Sequence, residues 1–75
     1  MLNRINAAID DFFIENGREA EFIILSSGAY GEFSFEVGKL EGLSDDDAYL
    51  NEVSVYKLIT VAVTHNRQFN EFEIR

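Results

Sequence analysis

Apolar side chains recur at helical spacing in the first sixteen residues of the chain. The stripe consists of Leu2, Ile5, Ile9, Phe12 and Phe13. Residues three and four positions apart share one face of a helix, so the stripe predicts an amphipathic helix over Leu2–Asn16. We expect Asn3 to cap its start and Gly17 to end it in the left-handed conformation. Ile14 projects from the opposite, polar side, which makes it a candidate contact with a subunit or partner.

Two runs in the next part of the chain favour β-strands. Residues 20–25 carry apolar side chains on both faces, which is typical of a strand inside a sheet. Residues 32–37 alternate regularly between an apolar and a polar face. Gly28 and Gly31 permit a tight turn over residues 26–31. The two runs therefore predict an antiparallel hairpin.

The longest apolar run of the chain covers residues 53–64 and is rich in Val, Ile, Thr and Tyr. These residue types fit a packed, pleated surface, so the run predicts the central strand of a sheet. On one continuous strand, Tyr56, Leu58 and Ala62 would share the second face. Lys57 interrupts the apolar face, and we expect a bulge or a break between it and Tyr56.

The segments on either side of this run predict shorter elements. Ser44 followed by three aspartates is a helix start, with Ser44 as the N-cap, and a short helix fits over residues 45–51. Residues 65–68 predict a hairpin turn. Residues 69–75 alternate and predict the last strand, at an edge of the sheet.

These elements combine into an α+β fold within a single domain, residues 1–75. We expect the N-terminal amphipathic helix to pack on one face of a four-stranded, mostly antiparallel sheet. A short second helix precedes the long strand. Segregation of helix from sheet is what defines this class.

Length and composition limit how much core the domain can build. Seventy-five residues lie at the small end of chains that fold alone, although 47% are hydrophobic and seven are Phe. Conformational entropy offsets most of the free energy gained by burial in so short a chain. Cysteine is absent, so neither a disulfide nor a thiolate metal site adds stability. We therefore expect the protein to form a homo-oligomer.

The same features predict a cytoplasmic location. A chain without cysteine is compatible with a reducing compartment. The first residues lack the apolar segment of a signal peptide. No run approaches the roughly 20 apolar residues that a membrane span needs.

The charge balance narrows the classes of partner. Fourteen acidic residues against six basic ones give a net charge of −8. Proteins that bind nucleic acid directly present basic patches to phosphate, and no two basic residues are adjacent here. We expect no direct nucleic-acid binding and no docking on an anionic membrane. An acidic chain suits solubility, basic partners or imitation of a polyanion.

Three stretches invite a chemical interpretation, and each fails its pattern. An EF-hand loop that starts at Asp45 would need an oxygen ligand and a glycine where Tyr49 and Leu50 stand. His65 is the only histidine, so it has no partner for a metal site or an acid–base pair. The glycines of residues 26–31 lack the Lys-Ser/Thr of a phosphate-binding loop. We predict no catalytic, cofactor-binding or metal-binding residue, and no enzyme.

The predicted strands place acidic residues together. Glu32, Glu36, Glu71 and Glu73 would project from the sheet face opposite the apolar one. Successive outward residues on a strand are about 6.6–6.8 Å apart, so two such strands would form a lattice of negative charge. Such a face can simply be solvated and discourage aggregation. It can also resemble the phosphates of nucleic acid and occupy a basic groove.

The sequence leads to a function without catalysis. We predict a protein–protein interaction or assembly module that self-associates and binds a protein partner through Ile14, Tyr56, Leu58 and Ala62. The alternative is an acidic nucleic-acid mimic that inhibits a DNA- or RNA-processing protein through the four glutamates.

Overall fold

Three helices and four strands follow one another in the computed structural model, which describes residues 1–75. Their bounds are α1 Leu2–Asn16, β1 Phe22–Ser26, α2 Ser27–Leu40, α3 Asp45–Tyr49, β2 Val55–Tyr56, β3 Ile59–Thr64 and β4 Phe72–Ile74. The strands form one mixed sheet in the order β2-β3-β1-β4. The predicted α+β fold, with its N-terminal helix, four-stranded sheet and short additional helix, is confirmed.

A parallel pair lies at the centre of the sheet, between two antiparallel pairs. β1 pairs with β3 in parallel, while β2 pairs with β3 and β4 pairs with β1 in antiparallel orientation. A parallel pair needs a crossover connection, and α2 supplies it. α1 and α2 contact each other and pack on the same side of the sheet, so the molecule has one helical layer and one sheet layer.

The core fills the space between these two layers. Its four fully buried large side chains are Phe33, Ile5, Ile23 and Leu25. They come from α2, α1 and the central strand β1 respectively, so each layer contributes to the same cluster. Such interdigitated side chains account for most of the stability of a domain this small.

The start and end of α1 differ in how well the sequence predicts them. Gly17 ends the helix with φ 66° and donates its N–H to Phe13 O, as expected. The prediction that Asn3 caps the start is wrong, because α1 already begins at Leu2. Instead, the Leu2 N–H donates to the Glu36 carboxylate of α2 at 2.9 Å. A carboxylate from a neighbouring helix thus accepts an N–H group at the start of α1, in place of a local cap.

The prediction of a β-hairpin over residues 20–37 is wrong, because residues 27–40 form α2. Ser26 caps this helix by accepting the Ala29 N–H at 3.2 Å. Ala29, Phe33 and Val37 lie four residues apart and are all buried. Phe33 and Val37 fit a strand period of two as well as a helical period, so their spacing alone does not distinguish a helix from a strand.

A glycine allows α2 to approach α3 closely. A Cβ on Gly38 would lie 3.2 Å from the Ala48 Cα and from side-chain atoms of Asn51 and Leu43. The short helix α3 is confirmed, with Ser44 accepting the Asp47 N–H at 3.3 Å. It ends at Tyr49, two residues before the predicted end.

The long apolar run is two strands rather than one. β2 and β3 are joined by a two-residue turn in which Lys57 has φ 52° and Leu58 has φ 67°. The expected break beside Lys57 is therefore present, as a hairpin turn with both central residues left-handed. Because the chain reverses there, Tyr56 pairs with Ile59 and faces the core. The prediction that Tyr56 shares a face with Leu58 and Ala62 is wrong.

The last strand occupies an edge of the sheet, as predicted, but beside a different neighbour. β4 pairs with β1, so the predicted hairpin across residues 65–68 is wrong. The register places Ile74 opposite Ile23 and Phe72 opposite Leu25. Both side chains pack against the core, as their alternation indicates. β4 is also shorter than predicted, Phe72–Ile74.

Candidate interaction surface

One face of the sheet is not covered by any helix. α1 and α2 pack on the face that carries Ile23 and Leu25. The register of the strands places Phe22, Ile24 and Ala62 on the opposite face, and none of them belongs to the core or packs against it. We call this opposite face the bare face.

The floor of the bare face is apolar where an exposed sheet normally carries polar residues. Phe22 is 42% exposed, and Ile24 pairs with Ala62 beside it. An antiparallel sheet that faces water usually alternates hydrophobic-in with polar-out. β1 does not, because its outward residues Phe22 and Ile24 are as apolar as its inward ones. Contiguous apolar surface of this kind marks contacts with other proteins.

Charged residues of both signs surround this floor. Arg18, Glu21 and Arg75 line a shallow depression of about 480 Å³ together with the three floor residues. Arg18 lies 3.8 Å from Glu21, and Arg75 lies 2.7 Å from Glu73. An apolar centre with a polar rim is the usual composition of a protein–protein interface.

The four predicted interaction residues do not form one surface. Ala62 lies on the bare face, whereas Ile14 is 77% exposed on α1. Tyr56 belongs to the core: its ring meets Phe33 edge-on at 5.2 Å, and its hydroxyl donates to Asn6 Oδ1 at 2.7 Å. The role of Tyr56 in the structure is to join β2 to α1.

Leu58 is placed at the tip of the β2–β3 turn and is 97% exposed. A leucine at φ 67° carries a backbone cost of about 1–2 kcal/mol relative to the right-handed conformation. It is therefore exposed and conformationally strained at once. It does not line the depression on the bare face.

Sequence reasoning missed Phe22 and Ile24 as surface residues. The pattern that could have found them was already visible, because residues 20–25 are apolar on both faces. We interpreted that pattern as a strand inside the sheet, and β1 does lie between β3 and β4. Residues Ile23 and Leu25 are indeed fully buried, but the other face of β1 has no cover within the chain.

The four predicted acidic residues also separate. Glu32 and Glu36 lie on α2 rather than on a strand, so the predicted lattice on one sheet face is wrong. Glu71 pairs with Arg4 of α1 at 2.7 Å, and only Glu73 belongs to the bare face, opposite Ile24. Glu36 accepts a backbone N–H and Glu71 and Glu73 pair with arginines, so none of these three presents a free negative charge.

The remaining chemical candidates lie apart from the bare face. His65 is exposed in the segment after β3, where it lines a depression of about 390 Å³ with residues that include Ser26 and Arg67. The aspartates at 45–47 form the first turn of α3. The structure contains no group of three or more His, Cys, Asp or Glu residues placed to hold a metal ion. It also contains no helix with the length and apolar character that crossing a membrane requires.

Comparison of the chain with protein-family models, with curated proteins and with solved structures finds no match. The bare face is accordingly interpreted from its own geometry.

Proposed function

We propose that this protein is a non-catalytic interaction module that self-associates and binds a protein partner through the bare face. The observation that carries the proposal is the apolar floor of Phe22, Ile24 and Ala62 on a sheet face that the chain leaves uncovered. Water contact with this floor is unfavourable by about 25 cal/mol for each Å² of apolar surface. A partner that covers the floor recovers that free energy.

The rim indicates what kind of partner fits. Arg18 and Arg75 lie beside Glu21 and Glu73, so the rim presents both signs of charge. A partner with a purely basic or a purely acidic surface would place like charges against part of this rim, which is unfavourable. We therefore propose a protein segment with an apolar centre and flanking charges of both signs.

The size of the face supports self-association. Four strands about 4.8 Å apart and a six-residue strand at about 3.3 Å per residue give a face of roughly 15 by 20 Å. A standard interface buries roughly 800 Å² on each partner, which is more than one such face supplies. Two copies that place their faces side by side present a combined face whose area is closer to that of a standard interface.

A matched pair of substitutions tests the proposal. Ala62→Arg puts a charged side chain on the floor, while Ala7→Arg makes the same change at an exposed position of α1. The chain is used to capture partners from lysate of its source, and hydrogen exchange of the complex locates the contact. We expect a partner that is captured by wild type and by Ala7→Arg, lost with Ala62→Arg, and protective of β1 and β3.

Two results would contradict the proposal. The first is a partner that Ala62→Arg binds as well as the wild type does, with circular dichroism showing both chains folded. The second is exchange protection confined to α1 and α2, because that would place the contact on the helical layer.

The alternative of a nucleic-acid mimic has less support. It requires four glutamates on one face, and the fold distributes them between α2, the β4 edge and the bare face. The net charge of −8 is what still favours it. That the protein is no enzyme stays a prediction, and we place the module in the cytoplasm because a chain without cysteine suits a reducing compartment.

A further inference from the structure

The outer edge of β4 carries backbone groups that have no partner in the chain. Phe22 and Arg75 exchange both backbone hydrogen bonds at 2.9 Å, and the Ser26 N–H donates to Glu71 O at 3.0 Å. In an antiparallel pair, alternate residues direct their N–H and C=O groups to opposite sides. Phe72 and Ile74 therefore direct theirs away from β1, and β4 has no neighbour on that side.

We propose that a second copy of this chain pairs with β4 in antiparallel orientation, with the two-fold axis at Glu73. The proposal rests on the self-association included in the proposed function and names its surface. In this register Phe72 of one copy lies opposite Ile74 of the other. The free N–H and C=O groups of both residues then form four hydrogen bonds across the axis.

The side chains of β4 and its flanks are self-complementary in this register. Glu71 of each copy lies opposite Arg75 of the other, so the Glu71 carboxylate can exchange Arg4 of its own α1 for that arginine. Opposite charges directly across a pair of strands are favourable, whereas like charges are unfavourable. Moving the axis to Phe72 would place Glu71 opposite Glu73 instead, which pairs two negative charges.

The axis itself brings the two Glu73 side chains together. Each Glu73 already has Arg75 of its own copy at 2.7 Å, so the two negative charges are accompanied by two positive ones. The Glu73–Arg75 ion pairs of the two copies then lie side by side across the axis. On the other side of the sheet, Phe72 meets Ile74 in two apolar pairs.

This pairing joins the bare faces of two copies. A two-fold axis perpendicular to the sheet keeps both helical layers on one side, and it leaves one continuous sheet of eight strands with a single uncovered face. The surface available to a protein partner doubles. Edge-strand pairing therefore supplies the side-by-side arrangement that the size of one face calls for.

Charge exchange between two variants tests the register. Arg75→Glu or Glu71→Arg alone sets like charges opposite each other at two equivalent positions, and we expect either change to weaken the dimer about tenfold or more. An equimolar mixture of the two variants, and the double variant, place opposite charges together again and restore it. Sedimentation equilibrium measures the mass against the 8.6 kDa of one chain.

Lys57→Glu is the matched control, because it makes the same charge change at the turn beside β2, on the opposite edge of the sheet. We expect it to leave the dimer intact. Amide exchange gives a second readout at single residues: the N–H groups of Phe72 and Ile74 gain protection as the concentration rises. The N–H of Glu73 is protected at every concentration, because it faces β1.

Each contrary result overturns the proposal in a different way. A wild-type chain that stays at 8.6 kDa up to millimolar concentration overturns the pairing and the self-association together. A dimer that is insensitive to both β4 changes but is lost with Ala62→Arg is a face-to-face dimer, which overturns the edge pairing alone. Rescue of Arg75→Glu by Glu73→Arg rather than by Glu71→Arg moves the axis to Ile74 and overturns the register.

Discussion

Replacing Leu58 by glycine should stabilise the protein, although leucine is the larger apolar residue. Leu58 is 97% exposed, so the substitution removes almost no burial. Its φ of 67° is a conformation that glycine adopts freely and that costs leucine about 1–2 kcal/mol. Two-residue hairpin turns with both central residues left-handed favour glycine for this reason.

The expected gain follows from the difference of two terms. Relief of the left-handed strain contributes about 1–2 kcal/mol, and the greater freedom of glycine in the unfolded chain removes about 0.5–1 kcal/mol. We expect Leu58→Gly to raise the free energy of unfolding by about 0.5–1 kcal/mol. For a chain of this length, that raises Tm by about 2–8 °C.

Urea denaturation followed by circular dichroism, at a concentration where the chain is monomeric, measures the change. Leu58→Ala is the control, because alanine removes the same exposed side chain but keeps the strain; we expect a change within about 0.5 kcal/mol. A fall of the urea midpoint for Leu58→Gly would refute the reasoning. It would mean that the leucine side chain contributes more to the fold than its exposure indicates.

Two further substitutions test the packing of the helical layer. Gly38→Ala should lower the free energy of unfolding by about 1–3 kcal/mol, since its Cβ would lie 3.2 Å from the Ala48 Cα; Gly31→Ala, in the same helix with open space around it, should instead raise it by about 0.5–1 kcal/mol. Urea denaturation checks this pair: the midpoint should fall for Gly38→Ala and rise for Gly31→Ala. Equal shifts would contradict the prediction. Tyr56→Phe removes the hydroxyl that donates to Asn6 and should cost about 0.5–1.5 kcal/mol in the same assay, whereas an unchanged midpoint would show that the hydrogen bond adds nothing.

Local pattern predicted α1 well because its apolar stripe is long and admits one period. Gly17 then marks its end without ambiguity. α2 was missed because Phe33 and Val37 satisfy both the helical and the strand period. Ser26 as an N-cap, with Ala29 continuing the spacing of four, is the feature that favours the helix.

The order of the strands could not be predicted from a local sequence pattern, for a different reason. β4 lies beside β1, and nothing in the residues between them in sequence specifies that choice. Register and neighbour are decided by which pairing buries Phe72 and Ile74 against the core. The bare face was missed similarly: an apolar second face on β1 looks the same in sequence whether an element of the chain covers it or another molecule does.

The position of β1 at the centre of the sheet has a consequence for how the protein folds. β1 is the first strand made, yet both of its neighbours, β3 and β4, come from the last part of the chain. Loop closure over long separations must precede these pairings, so folding is slow relative to a helical bundle of the same length. The β2–β3 hairpin, by contrast, closes locally and can form first. During synthesis, β1 therefore lacks its neighbours while it exposes apolar residues on both faces, and the nascent chain is vulnerable to aggregation until β3 and β4 have left the ribosome.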